Sequence, residues 1–159
     1  MGWQEELNAK RLKTKGWYGC IAPDGWKWII EDADRILAKL DPLYEIHQVK
    51  EKFGTLRYYY GTVADWETQE VMDAVIERAE MLSAKTCQVC GNSSAMSNLD
   101  RGIKYDPTAV LKSTGGWFKT ICDSCDTEGR YVSVDALNVR GQYEDLELYA
   151  DKARKQVQE

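Results

Sequence analysis

The residues in this chain best suited to chemistry are cysteines. Cys87-Gln-Val-Cys90-Gly91 and Thr120-Ile-Cys122-Asp-Ser-Cys125 carry two Cys-x-x-Cys pairs, separated by a loop-rich interval. Each such turn presents two sulfurs to one ion while backbone amides point towards them. Two pairs supply the four soft ligands that a tetrahedral divalent cation takes. Gly91 stands directly after the first pair, where a tight knuckle needs a positive φ. The reading is structural zinc on Cys87, Cys90, Cys122 and Cys125, with every ligand position closed by sulfur. A four-thiolate iron centre uses similar spacing, and a colourless sample would dispose of it. A redox dithiol usually stands alone beside a βαβ pattern.

The elements that must position these sulfurs are legible in the hydrophobic spacing. Trp26, Ile29, Ile30, Ala33, Leu37 and Leu40 mark one face of an amphipathic helix, with Asp24 as its N-cap and Asp41-Pro42 as its stop. The opposite face, with Glu31, Asp32, Asp34, Arg35 and Lys39, reads as solvated. A second helix over 65–85 buries Trp66, Met72, Val75, Ile76, Ala79 and Leu82, and Asp65 and Glu67 suit its N-terminus. It leads almost directly into Cys87, so the metal module is held rigidly against the core. Residues 61–86 hold six acidic and two basic side chains, which makes the outer face of this helix acidic. A solvated face is the ordinary meaning of such a run, and a docking surface for a basic partner is the sharper one.

Between the helices, residues 43–60 read as a β-hairpin. Tyr44, Ile46 and Val49 lie on one arm and the run from Thr55 to Tyr60 on the other, connected by residues 50–54 with Gly54 at the turn. Leu56, Tyr58 and Tyr60 share one face, and Arg57 and Tyr59 share the other. Lys50, Lys52, Phe53, Arg57 and Tyr59 thus form a basic, aromatic strip able to stack on bases or cover an acidic partner. The plainer alternative is a ribbon with one packed face and one wet face. His47 is the only histidine, which removes schemes that need several imidazoles and leaves a surface or satisfied core residue.

The flanking segments carry weaker signals. Trp3, Leu7 and Leu12 line one face of a short helix, with Lys10, Arg11, Lys13 and Lys15 beside it, and a solvated face or mobile arm is expected. Cys20 is expected to be a small buried residue and not a nucleophile. Within the cysteine module, residues 103–105 and 117–121 could pair as a ribbon, and 131–134 could form a strand. Residues 126–129 begin a short helix, which makes a treble clef, or close a second knuckle, which makes a zinc ribbon. A final helix from Gly141 spaces Tyr143, Leu146, Tyr149, Ala150, Ala153 and Val157 on one side. The organisation is therefore α+β. A helix–hairpin–helix core covers 1–86, a four-cysteine zinc module 87–134, and a C-terminal helix packed on the rest 135–159.

The 159 residues carry a formal net charge of −5, which disfavours a chain whose main work is gripping phosphate backbones but permits a local basic patch. No apolar run is long enough to span a bilayer, the Met1 segment lacks a signal-peptide core, and metal-spaced cysteines suit a reducing compartment, so a cytoplasmic setting is expected.

Taken together, Asp24-Gly-Trp26, the block Gln48-Val-Lys-Glu-Lys-Phe-Gly-Thr-Leu-Arg-Tyr-Tyr59, Glu80-Met-Leu-Ser83, Cys87-x-x-Cys90-Gly91 and Gly116-Trp117 followed by Thr120-x-Cys122-Asp-x-Cys125 resemble a family of small zinc proteins of bacteriophages and prophages. The resemblance covers residues 24–125. It implies action in the bacterial cytoplasm and carries no catalytic residue over. The expected function is non-enzymatic: a zinc-stabilised protein that docks on a host or phage macromolecule, a protein partner foremost, as a modulator or an inhibitor of a defence system. The alternative is nucleic-acid binding through the basic aromatic hairpin, and a metal-dependent enzyme ranks behind both.

Overall fold

The computed structural model describes residues 2–95 and 102–134. The expected C-terminal helix over 135–159 lies outside the described residues. Within them the chain is α+β, with three α-helices and two three-stranded sheets. Among the described residues no helix is long and apolar enough to cross a membrane.

The first helix, α1 (Trp3–Arg11), leads to a short strand, β1 (Gly19–Ile21). A single 3₁₀ turn (Asp24–Trp26) then opens α2 (Lys27–Leu40). The hairpin is β2 (Glu45–Lys52) and β3 (Thr55–Gly61), followed by α3 (Trp66–Ser83). The sheet order is β1-β2-β3, with β1 parallel and β3 antiparallel to β2. Alternation decides which sheet face is buried: Ile46, Val49, Leu56 and Tyr58 point into a core shared with Trp26, Ile29, Ile30, Leu37, Met72 and Ile76. The helix–hairpin–helix expectation is met, and Asp65 caps α3 by accepting the Thr68 amide.

Several expectations change. The connection is not residues 50–54: the strands run on to Lys52 and from Thr55, leaving a two-residue turn in which Phe53 (φ 54°) and Gly54 (φ 81°) are both left-handed. That is the geometry that matches the twist of a tight hairpin. His47 sits in a β-bulge, because Ile46 faces Tyr60 while Gln48 already faces Tyr59. Trp66 is not buried but 66% exposed. Six residues before Met72, it is rotated about 120° away from the buried stripe at 100° per residue. Asp24 does not cap α2; its carboxylate accepts the Trp3 indole N–H at 2.9 Å.

The N-terminal segment is no mobile arm. On α1, Gln4 and Asn8 stand one turn apart, and their side-chain amides pair with the backbone of Ala22 and Cys20, two residues apart on the neighbouring extended chain. Gln4 accepts from Ala22 N–H (2.8 Å) and donates to Ala22 C=O (3.0 Å). Asn8 accepts from Cys20 N–H (2.7 Å) and donates to Cys20 C=O (3.3 Å). A helical turn and a two-residue strand step are of similar length, so two amides substitute for a missing strand and close this sheet edge. The other edge is closed by α3: Ser83 Oγ accepts the Leu56 amide at 2.8 Å and Glu80 the Tyr58 amide at 3.3 Å. Cys20 is buried as expected, and burial pushes its thiol up to about 12.

Arg11 and Asp34, both read as solvated, form an ion pair at 2.7 Å. Asp34 also accepts the Tyr44 hydroxyl, which meets the Tyr58 hydroxyl at 2.8 Å. Burial pushes both phenols up, so they act as neutral donors and acceptors in the core.

Replacing Asn8 by Ala strips the Cys20 backbone of both partners at a buried position. The expected loss is about 1–3 kcal/mol of folding stability, read as a lower urea midpoint at unchanged slope.

Candidate metal centre

The second sheet brings the two cysteine pairs together. Its strands are β4 (Val110–Ser113), β5 (Phe118–Ile121) and β6 (Val132–Ser133), in the order β5-β4-β6, all antiparallel. The expected partner of β5, residues 103–105, lies elsewhere: Tyr105 bridges to Ser93, which in turn bridges to Thr86. A tight turn, with Thr114 N–H donating to Trp117 C=O at 3.1 Å, folds β5 directly back on β4. Nearest-neighbour pairing through the Thr114–Gly115–Gly116 turn has the lower closure cost. The strand at 131–134 is present as β6.

Each cysteine pair sits in a tight turn. In the first, Gly91 N–H donates to Cys87 C=O at 3.1 Å with Gly91 at φ 82°. In the second, the Cys125 and Asp126 amides both donate to Cys122 C=O at 3.1 Å, and residues 126–129 continue as a turn and not as a helix. The four sulfurs of Cys87, Cys90, Cys122 and Cys125 lie within 4.8 Å of one another, and all four cysteines are free of disulfides. A tetrahedral ion with metal–sulfur bonds of about 2.3 Å sets its sulfurs about 3.8 Å apart. The Cys90–Cys122 separation is 3.7 Å. The donor set and its dimensions fit one four-coordinate metal ion.

The electrostatics point the same way. Burial opposes ionisation of Cys87, but the backbone N–H groups of Cys90, Cys122 and Val89 aim at its sulfur and bring the thiol down to about 7. Desolvation and the neighbouring sulfurs raise Cys90 and Cys125. Four adjacent thiols resist losing all their protons together, and a bound cation removes that resistance. Lys112, almost buried on β4, sends its ammonium to Asp123 at 2.7 Å, inside the second pair.

Sequence reasoning missed the residues that seat this centre on the core. Gly25 N–H donates to Gln88 C=O at 2.9 Å, and Gln88 N–H donates to Thr120 C=O at 2.9 Å. The Gln88 side-chain oxygen accepts Thr120 N–H at 2.8 Å, and Thr120 Oγ1 donates to Gly54 C=O at 2.8 Å. The Trp26 and Trp28 indoles donate to Thr86 C=O (2.9 Å) and Gly91 C=O (3.2 Å). Approach is close enough to require glycine: a Cβ on Gly25 would lie 2.1 Å from Cys87 O, and one on Gly54 would lie 2.9 Å from Lys119 N. The metal module is thus hydrogen-bonded to the start of α2 and to the hairpin turn, besides following α3 in the chain.

The candidate binding residues are also placed. Lys50 faces Arg57 across the hairpin, while Lys52 is exposed, Tyr59 is 47% exposed and Phe53 is 66% exposed. Phe53 meets Phe118 of the metal module edge-on at 6.4 Å, and Lys52 lies over its ring. His47 is stacked on Trp17 at 4.1 Å and paired with Glu45 at 3.0 Å. Compared with family models, curated proteins and solved structures, the chain matches none.

The Gly25 contact yields a sharp test. Gly25→Ala should lower stability by about 1–3 kcal/mol or more and speed metal loss to a chelator, because backbone must shift. Gly116→Ala, whose added methyl meets nothing within 4 Å, should change neither.

Proposed function

We propose that this is a non-enzymatic binding protein in which structural Zn²⁺, held by Cys87, Cys90, Cys122 and Cys125, fixes a zinc ribbon against an α+β core. The ribbon is favoured over a treble clef because the second cysteine pair is followed by a turn and a returning strand, β6, where a treble clef would begin a helix. Zinc is favoured by four thiolates and a closed tetrahedral set, which leaves no ligand position for a substrate.

One observation carries the binding reading. Lys50, Lys52, Phe53, Arg57 and Tyr59 stand together on the exposed side of the hairpin, and the metal module extends that surface with Trp117 (76% exposed) and Phe118 (42% exposed). Exposed large aromatics and an arginine are residue types enriched at docking sites, and here they share one surface. Following the resemblance of the Lys50–Tyr59 block, the setting is the cytoplasm of a phage-bearing bacterium, and the consequence of docking is modulation or inhibition of a host process.

Two measurements test this reading. Purified protein should contain one zinc per chain by elemental analysis, and the pair Cys90→Ser with Cys125→Ser should lose it together with near-ultraviolet circular dichroism. Tagged protein expressed in bacteria should retain a macromolecule that Lys52→Glu/Phe53→Ala/Tyr59→Ala does not, at equal metal content. Equal retention by the two, or none by either, contradicts the docking face.

A further inference from the structure

We infer that the exposed face of the first sheet binds single-stranded nucleic acid, with bases against the aromatic cleft beside Tyr59 and phosphates on Lys50, Lys52 and Arg57. This rests on the docking reading above and names its partner by chemistry.

The strand register arranges the face in rows. Gly19, Gln48 and Tyr59 form one row across the three strands; Ile21, Lys50 and Arg57 form the next; Lys52 and Thr55 form a third beside the turn. Successive rows are about 7 Å apart, since every second residue shares a face. At one end opens a cleft of about 480 Å³, where Trp17, Tyr18, His47 and Tyr59 meet Asp73 and Ile76 of α3. Trp17 is 45% exposed and Tyr18 71% exposed. At the other end stand Phe53 and Phe118. Aromatic surface thus flanks a central pair of cations, so that a strand laid along the rows can alternate stacked bases with neutralised phosphates.

Charge complementarity selects this occupant although the chain is acidic overall. The rows themselves carry Lys50, Lys52 and Arg57 and no carboxylate. Glu45, Glu51 and Asp73 lie beside them, held by Thr14 and His47, by the Gly54 amide and by the Tyr60 hydroxyl in hydrogen bonds that do not cancel their charge. The acidic surplus is concentrated on α3, where Glu67, Glu70 and Glu77 are exposed; α3 packs on the core side of the sheet and reaches the cleft through Asp73. Among the described residues the cationic rows and the acidic outer face of α3 thus point different ways, which favours an anionic strand on the rows. The bases of a duplex are stacked on each other and cannot use exposed Tyr and Trp rings, whereas an unpaired strand can.

The test uses full-length, zinc-loaded protein and fluorescence anisotropy of labelled oligothymidine of about 20 nucleotides, with a duplex of equal length and polyglutamate as comparators. Three neutralised phosphates predict that single-strand affinity falls roughly 20-fold between about 50 and 200 mM salt. Tyr59→Ala should weaken binding about tenfold, and Lys50→Gln/Arg57→Gln should flatten the salt dependence, both with unchanged circular dichroism and metal content. Absence of binding at the lower salt overturns the inference. So does duplex binding of equal strength that Tyr59→Ala leaves intact. Polyglutamate binding as tight as the oligonucleotide reassigns the face to an acidic polypeptide. If nucleic acid fails to bind while Lys52→Glu/Phe53→Ala/Tyr59→Ala still abolishes retention of a cellular partner, the nucleic-acid assignment falls and the docking face stands.

Discussion

A short chain of buried hydrogen bonds, Gly25 to Gln88 to Thr120 to Gly54, joins the two halves of this protein. Its members come from the start of α2, the first cysteine knuckle, the strand that delivers the second cysteine pair, and the hairpin turn. Gln88 and Thr120 are buried, so each donor or acceptor on this path needs its partner, and the loss of one strands another. The path also fixes the sulfurs. Gln88 lies between Cys87 and Cys90, and Thr120 lies two residues before Cys122, so their double pairing sets the distance between the two knuckles. The tetrahedral spacing of the sulfurs follows from the backbone around them.

The same attachment shapes the outer surface. Gly54 can approach β5 only because it has no side chain, and that approach brings Phe53 against Phe118. The metal module is thereby continuous with the exposed face of the hairpin. A domain of this size has a limited core, and the cysteine cluster joins segments 35 residues apart in sequence, where a metal ion would cross-link them and supplement it. Both outer strands of the first sheet are closed, by the Gln4 and Asn8 amides on one side and by Ser83 and Glu80 on the other. Side chains, and not open strand edges, are therefore what this sheet offers to a partner.

How much of this could be read from the residues follows from the range of each interaction. The two long helices, the Asp65 cap, the hairpin and the cysteine quartet were legible because each is encoded within a few positions, as a period, a cap or a Cys-x-x-Cys turn. β1 was not: three residues give no period, and their partner, Gln48 to Lys50, lies 29 positions later. Asp34 and Arg11 looked like solvated charges because their mutual pairing, and that of Asp34 with Tyr44, spans separate elements. The role of Gly25 has no local signal, since nothing nearby in sequence reveals a carbonyl from residue 87 pressed against it. The total of −5 says nothing of placement: the outer face of α3 carries Glu67, Glu70 and Glu77, while Lys50, Lys52 and Arg57 share the other side of the sheet.

The central claim is that the sulfur cluster and the helical core form one cooperative unit. It is tested most directly by unfolding the zinc-loaded protein in urea while two signals are followed together. These are the release of metal to a chromophoric chelator and the near-ultraviolet dichroism of the packed aromatic side chains, buried Trp26, Tyr44 and Tyr58 among them. The account predicts that both change in a single transition with coincident midpoints. Metal released at a clearly lower urea concentration, with the near-ultraviolet signal intact, would contradict it.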